Sequence, residues 1–119
     1  MFFLDTYALV EIGKKNLAYE SIAKSPFHLC DIILCEFFGI ILREYNPELA
    51  EQWVAKLSPY ASPTPFPILL EAVKFRRKNR NLNLSFFDAV GYMHAVKNNG
   101  IFVTGDKAFE NMPHVKYIK

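Results

Sequence analysis

The stretch Phe2-Phe3-Leu4-Asp5-Thr6 puts three large apolar residues in a row and then stops at a carboxylate and a hydroxyl. An apolar run without alternation, cut short by polar residues, is the pattern of a strand buried on both faces where it leaves its sheet. A strand covered on both faces needs helices above and below it, and the chain supplies them in alternation with further apolar runs. Helical patterning over residues 7–24 breaks near Gly13 and is stopped by Ser25-Pro26. Residues 27–30 read as a second strand. Asp31 is placed to cap a helix over 32–44, and Asn46-Pro47 opens another over 48–57.

Four prolines make residues 58–67 a loop, with a short strand at Tyr60-Ala61. A helix over 68–80, a turn over 81–84 and a helix over 86–97 follow, the last closed by Asn98-Asn99-Gly100 with Gly100 as the C′ residue. Residues 101–104 are a third apolar strand; 107–112 form a short helix and 115–118 an edge strand. Strands alternating with helices predict an α/β fold, a mostly parallel sheet of four to five strands flanked by helices on both faces.

The chain has 119 residues, 51% hydrophobic and 22% charged, which is one domain's worth of globular chain, expected to span residues 1–119. A net charge of +2 with a pI near 8.5 is too mild to identify a nucleic-acid binder by charge alone. The longest apolar run, residues 32–42, is broken by Glu36 and is too short to span a bilayer. Residues 1–5 lack the pattern of a secretory signal, so the expected location is the cytoplasm, with no membrane partner. Cys30 and Cys35 are expected as small buried hydrophobes; a zinc site with His28 lacks a fourth ligand.

Four acids stand in telling places. Asp5 and Asp106 follow the first and third strands, at the carboxyl ends where open α/β sheets bind ligands, although each also suits a helix cap. Asp88 lies in Ser85-Phe86-Phe87-Asp88, a capping-box pattern. Glu36 has no such local explanation. It sits mid-helix among Ile32, Ile33, Phe37, Phe38, Ile40 and Ile41, and the only basic residue of that helix is Arg43. A carboxylate there must be paired, neutral or metal-bound. Four carboxylates converging at one sheet end repel unless a hard cation neutralises them, which points to Mg²⁺ or Mn²⁺.

With these residues in view, the chain resembles the PIN domain family, and within it the small VapC-type toxins of prokaryotic toxin–antitoxin pairs. The resemblance rests on Phe3-Leu4-Asp5-Thr6 with Ala8-Leu9-Val10, on Glu36, on Asp88-Ala89, and on Val103-Thr104-Gly105-Asp106-Lys107 with Phe109 beyond. Tyr92 and Met93, bulkier than the family's usual residues there, and Gly105, where a larger residue is common, depart from it. The resemblance implies a three-layer PIN-like fold and a divalent-metal-dependent ribonuclease. Asp5, Glu36, Asp88 and Asp106 would be catalytic and metal-binding, with Thr6 and Thr104 orienting carboxylates or waters. It further implies an RNA substrate, a cognate antitoxin and a homodimer, with apolar surface around Tyr7, Tyr19, Phe37 and Phe38 for protein contacts. Lys107 beside Asp106, and Arg76, Arg77 and Arg80 in the run 74–80, are the expected RNA contacts, though basic residues also suit a helix C-terminus.

His94, six residues past Asp88, is turned away from it and is read as a surface or packing residue. Tyr92, at i+4, shares the face of Asp88 and suits either the cleft or the core. Two other classes fit less of the pattern. A catalytically silent PIN-like module that binds RNA or protein keeps the same acids. A phosphoacceptor domain needs an acidic pair after the first strand, where the chain has Asp5 alone.

Overall fold

A computed structural model describes residues 1–119. Strands β1 (Phe2–Leu4), β2 (Phe27–Cys30), β3 (Ala61–Ser62), β4 (Ile101–Thr104) and β5 (Val115–Tyr117) form one sheet in the order β3-β2-β1-β4-β5. Every neighbouring pair is parallel. The helices are α1 (Thr6–Gly13), α2 (Glu20–Ala23), α3 (Asp31–Glu44), α4 (Pro47–Leu57), α5 (Phe66–Lys78) and α6 (Phe86–Lys97). Because β1 connects onward to β2 on one side and pairs with β4 on the other, the chain's direction of winding reverses between β1 and β4. Their carboxyl ends flank the crevice of a topological switch point.

Side chains of successive strand residues go to opposite faces, and both faces are covered. Leu4 and Val103 join a core with Ala8, Leu9, Ile33 and Phe37, whereas Phe3 and Phe102 pack with Tyr92, Ala95 and Phe109. The register Leu4↔Val103 places the ends of β1 and β4 side by side. No helix is long and apolar enough to cross a membrane.

Local expectations are met in part and corrected in part. The break expected near Gly13 is present: α1 ends there in a Schellman turn with Lys15 left-handed (φ 59°), and Asn16 N–H donates to Glu11 O at 3.0 Å. A 3₁₀ turn, Leu17–Tyr19, then leads into α2. The same motif closes α6, but the left-handed residue is Asn99 (φ 59°), with Gly100 one place further, its N–H on Ala95 O. Gly100 is needed for space, since a Cβ there would stand 2.2 Å from the Phe3 ring.

Asp31 is the first helical residue rather than the cap; its carboxylate takes the N–H and hydroxyl of Thr64, tying α3 to the loop after β3. The proline-rich segment starts α5 two residues earlier than the pattern suggested, and α5 ends at Lys78 before a 3₁₀ turn, Arg80–Leu82. The short strand is Ala61–Ser62, one residue on from its expected place, and the helix at 107–112 is a single 3₁₀ turn, Lys107–Phe109. Cys30 is buried but Cys35 is exposed, and Tyr19 and Phe37 are core residues, unavailable as partner surface.

Candidate active site

Asp5 leaves β1 as the N-cap of α1. Its backbone N–H continues the ladder to Val103 O (3.0 Å), and its Oδ1 accepts from Thr6 N–H (2.8 Å). The other oxygen, Oδ2, accepts from the Thr104 hydroxyl at 2.6 Å, so a residue 99 positions away holds it. Thr104 Oγ1 in turn accepts from Asp106 N–H at 3.0 Å, and Asp106 caps the next turn through Ala108 N–H, also at 3.0 Å. One hydroxyl on β4 thus positions both acids at the switch point.

Glu36 finds its partner on α1: the Thr6 hydroxyl donates to Oε1 at 2.5 Å. Asp88 is held by the capping box of α6, accepting Ser85 N–H on Oδ2 (3.0 Å) while its own N–H donates to Ser85 Oγ (3.1 Å). The capping roles of Asp5, Asp88 and Asp106 therefore coexist with their placement in the cavity. The four acids, brought by four different elements, line one cavity of about 470 Å³ that also receives Thr6, Tyr7, Glu11 and Lys14. None of the four forms an ion pair; the chain's ion pairs are Lys24–Glu20, Arg43–Glu44 and Lys74–Glu71.

That arrangement is electrostatically strained. Burial pushes the Asp5 carboxyl from its ordinary 3.8 up to about 7, opposed by the Thr104 hydrogen bond and reinforced by Asp88 and Glu36. Glu36 is raised by burial, against the Thr6 hydroxyl and with Asp88 adding to the rise. Asp88 is raised by burial as well, with Ser85 and Arg76 holding it down and Asp106 pushing it up.

The donor set suits a hard cation: all are oxygens, and Glu36 Oε2, Asp88 Oδ1 and Asp106 Oδ2 carry no protein donor. No three of these side chains are gathered closely enough to ligate one ion together. Mg²⁺ tolerates that, because it keeps several waters and takes one or two carboxylates.

The remaining expected residues lie elsewhere. Lys107 is exposed on the turn after Asp106 and does not line the cavity. Arg76 and Arg77 at the end of α5 and Arg80 in the 3₁₀ turn after it sit outside the cavity, although Arg76 is near enough to act on Asp88. Tyr92 is core: it is buried in the second cluster and donates its hydroxyl to Pro113 O at 2.8 Å. His94 is buried edge-on against Phe3, and no histidine lines the cavity. Gly105 is explained by packing, since a Cβ would lie 2.2 Å from the Tyr7 ring and 2.6 Å from Ile118 O.

Tyr7, Glu11 and Lys14 were missed. Their signal was the spacing 7, 10, 11, 14 along α1, one helical stripe continuing from Asp5.

The sequence profile of the PIN domain matches residues 2–115. The chain belongs to the PIN domain family. No curated protein matches it significantly. Solved structures share the fold of this PIN domain at low identity. A toxin–antitoxin complex from Klebsiella pneumoniae superposes with a TM-score of 0.76 at 16% identity, covering 99% of this chain and 100% of the other. The sarcin–ricin loop-cleaving toxin VapC20 of Mycobacterium tuberculosis gives 0.77 at 17%, covering 95% of each. A DNA-bound VapBC2 complex from Rickettsia felis gives 0.76 at 18%, covering 99% and 98%.

Proposed function

We propose that this PIN domain is a divalent-metal-dependent endoribonuclease, the toxin of a toxin–antitoxin pair, acting in the cytoplasm. The observation that carries the reading is the convergence of Asp5, Glu36, Asp88 and Asp106 from four elements on one cavity at the β1/β4 switch point. The fold shared with toxin–antitoxin complexes and with a toxin named for cleaving the sarcin–ricin loop supports it.

Asp5, Glu36, Asp88 and Asp106 would hold Mg²⁺ or Mn²⁺, directly or through water. A bound divalent ion supplies activation of water and neutralisation of the charge that develops on the phosphate. The chain's part is positioning. Thr104 fixes Asp5 and Asp106 relative to each other, and Thr6 ties Glu36 to the start of α1. The capping box holds Asp88 through Oδ2 and leaves Oδ1 without a protein donor. Lys107, next to Asp106, supplies a cation for the RNA near the scissile bond.

The antitoxin would cover an apolar groove of about 640 Å³ lined by Ile40, Ile41, Leu49 and Trp53, which shares Val10, Lys14 and Ile40 with the acid cavity. Phe66 and Leu70, exposed one turn apart on α5, offer apolar surface for a second copy in a homodimer.

The rival reading, a silent binding module, keeps the same four acids. Thermal unfolding with Mn²⁺ against a chelator separates the two. Metal at a hundredfold over its Kd adds about 2.7 kcal/mol, a rise of roughly 10 °C for a chain of this size, and Asp5→Asn should abolish it. No shift at millimolar Mn²⁺ would refute the nuclease reading and favour the silent module.

A further inference from the structure

The C-terminus of α5 ends in Arg76-Arg77-Lys78, and the 3₁₀ turn after it begins with Arg80. The turn closes on Asn83 in the left-handed region (φ 54°), which folds the chain back so that Leu84 and Ser85 start α6 beside the arginines. As a result Arg76, Arg77, Arg80 and Asn83 line one pocket of about 410 Å³ together with Val73 and Leu84. A run of basic residues on a solvated helix end would splay; here three arginines line one concavity.

Two features distinguish this pocket from ordinary surface charge. None of the three arginines is paired with a carboxylate, although Arg43, Lys24 and Lys74 elsewhere on the surface are. Arg76 is also held in place: its Nε donates to Leu84 O at 2.9 Å, which leaves both terminal nitrogens of the fork free for an oxyanion. The pocket adjoins the acid cavity through α6. Ser85, next to the pocket residue Leu84, caps that helix, and Asp88 lies one turn along it within electrostatic reach of Arg76. A cavity of one sign beside a pocket of the other suits a polyanion whose reacting phosphate sits with a metal while a neighbouring phosphate needs fixed cations.

We infer that the pocket formed by Arg76, Arg77, Arg80 and Asn83 binds a backbone phosphate of single-stranded RNA next to the one presented to the acids. It serves as a positioning subsite outside the cleavage cavity. The ligand class rests on the ribonuclease reading, whereas the test does not depend on cleavage. Arg77 and Arg80 carry the contact; Arg76, which also holds the α5–α6 connection, orients the pocket.

The experiment measures binding of a fluorescein-labelled twelve-nucleotide single-stranded RNA of mixed sequence by anisotropy, in chelator, from 50 to 200 mM salt. The double variant Arg77→Gln/Arg80→Gln should bind about tenfold more weakly, with a salt slope shallower by about 0.7, the counterion release that one neutralised phosphate supplies. Arg77→Lys/Arg80→Lys should restore the slope but not the full affinity, because lysine lacks the fork geometry. Unchanged affinity and slope in the glutamine variant, or no RNA binding by the wild-type protein at 50 mM salt, overturns the proposal. The Mn²⁺ melting shift, measured on the same variant, should be unaltered. Its absence in the wild-type protein defeats the nuclease reading without touching the binding result.

Discussion

Replacing Asp5 by Asn removes a charge that the fold holds at high cost. Asp5 is 2% exposed and titrates near 7 rather than at 3.8. Between those two values the folded protein binds a proton that the unfolded chain has released, so this group's contribution to stability is full below about pH 4. It falls as pH rises and is exhausted above about 7. Three pH units at 1.36 kcal/mol each make a loss of about 4 kcal/mol, of which about 2.5 kcal/mol falls between pH 5 and pH 8.

Asn has no such titration. It keeps Oδ1 for the Thr6 N–H, but its amide NH₂ replaces the oxygen that accepted from Thr104, leaving that hydroxyl's proton without its acceptor. That mismatch costs about 1 kcal/mol at every pH. Metal-free Asp5→Asn should therefore be close to wild type at pH 5 and clearly more stable at pH 8, the gap widening by roughly 10 °C in Tm. Thermal melts of both proteins in chelator across this range provide the measurement. A gap that stays constant from pH 5 to 8 would mean that Asp5 is not buried against Asp88 and Glu36 as described, and the electrostatic argument for a cation would fall with it.

Gly105→Ala should lower stability by about 1–3 kcal/mol, because the Tyr7 ring and Ile118 O occupy the space of a Cβ; an unaltered urea midpoint would contradict that packing. Ser85→Ala should cost about 1 kcal/mol by removing the side-chain cap of α6, while the Asp88 carboxylate stays on the backbone N–H of residue 85 and the Mn²⁺ shift persists. An unaltered Tm would contradict the cap, and a lost metal response would show that the hydroxyl does more than cap.

What the sequence by itself determined is whatever depends on near neighbours. The unbroken apolar runs at 2–4 and 101–104 announced doubly covered strands, Asn46-Pro47 announced the start of α4, and Ser85 with Asp88 spelled a capping box that the structure contains. Those features arise from hydrogen bonds and side-chain periods a few residues long, which a linear reading captures. Even the oddity of Glu36 was legible, since an apolar helix offered it no local partner.

Tertiary structure alone decided which groups meet. Thr104 reaches Asp5 only because β1 and β4 pair in the register Leu4↔Val103, and Glu36 is held by Thr6 only because α3 packs on α1. The places of Glu11 and Lys14 in the cavity, the burial of Tyr92 and the gathering of three arginines likewise follow from packing. The physical reason is that a contact between residues 30 or 99 apart exists only after the whole chain has closed around its two cores, and local preference carries no information about that closure.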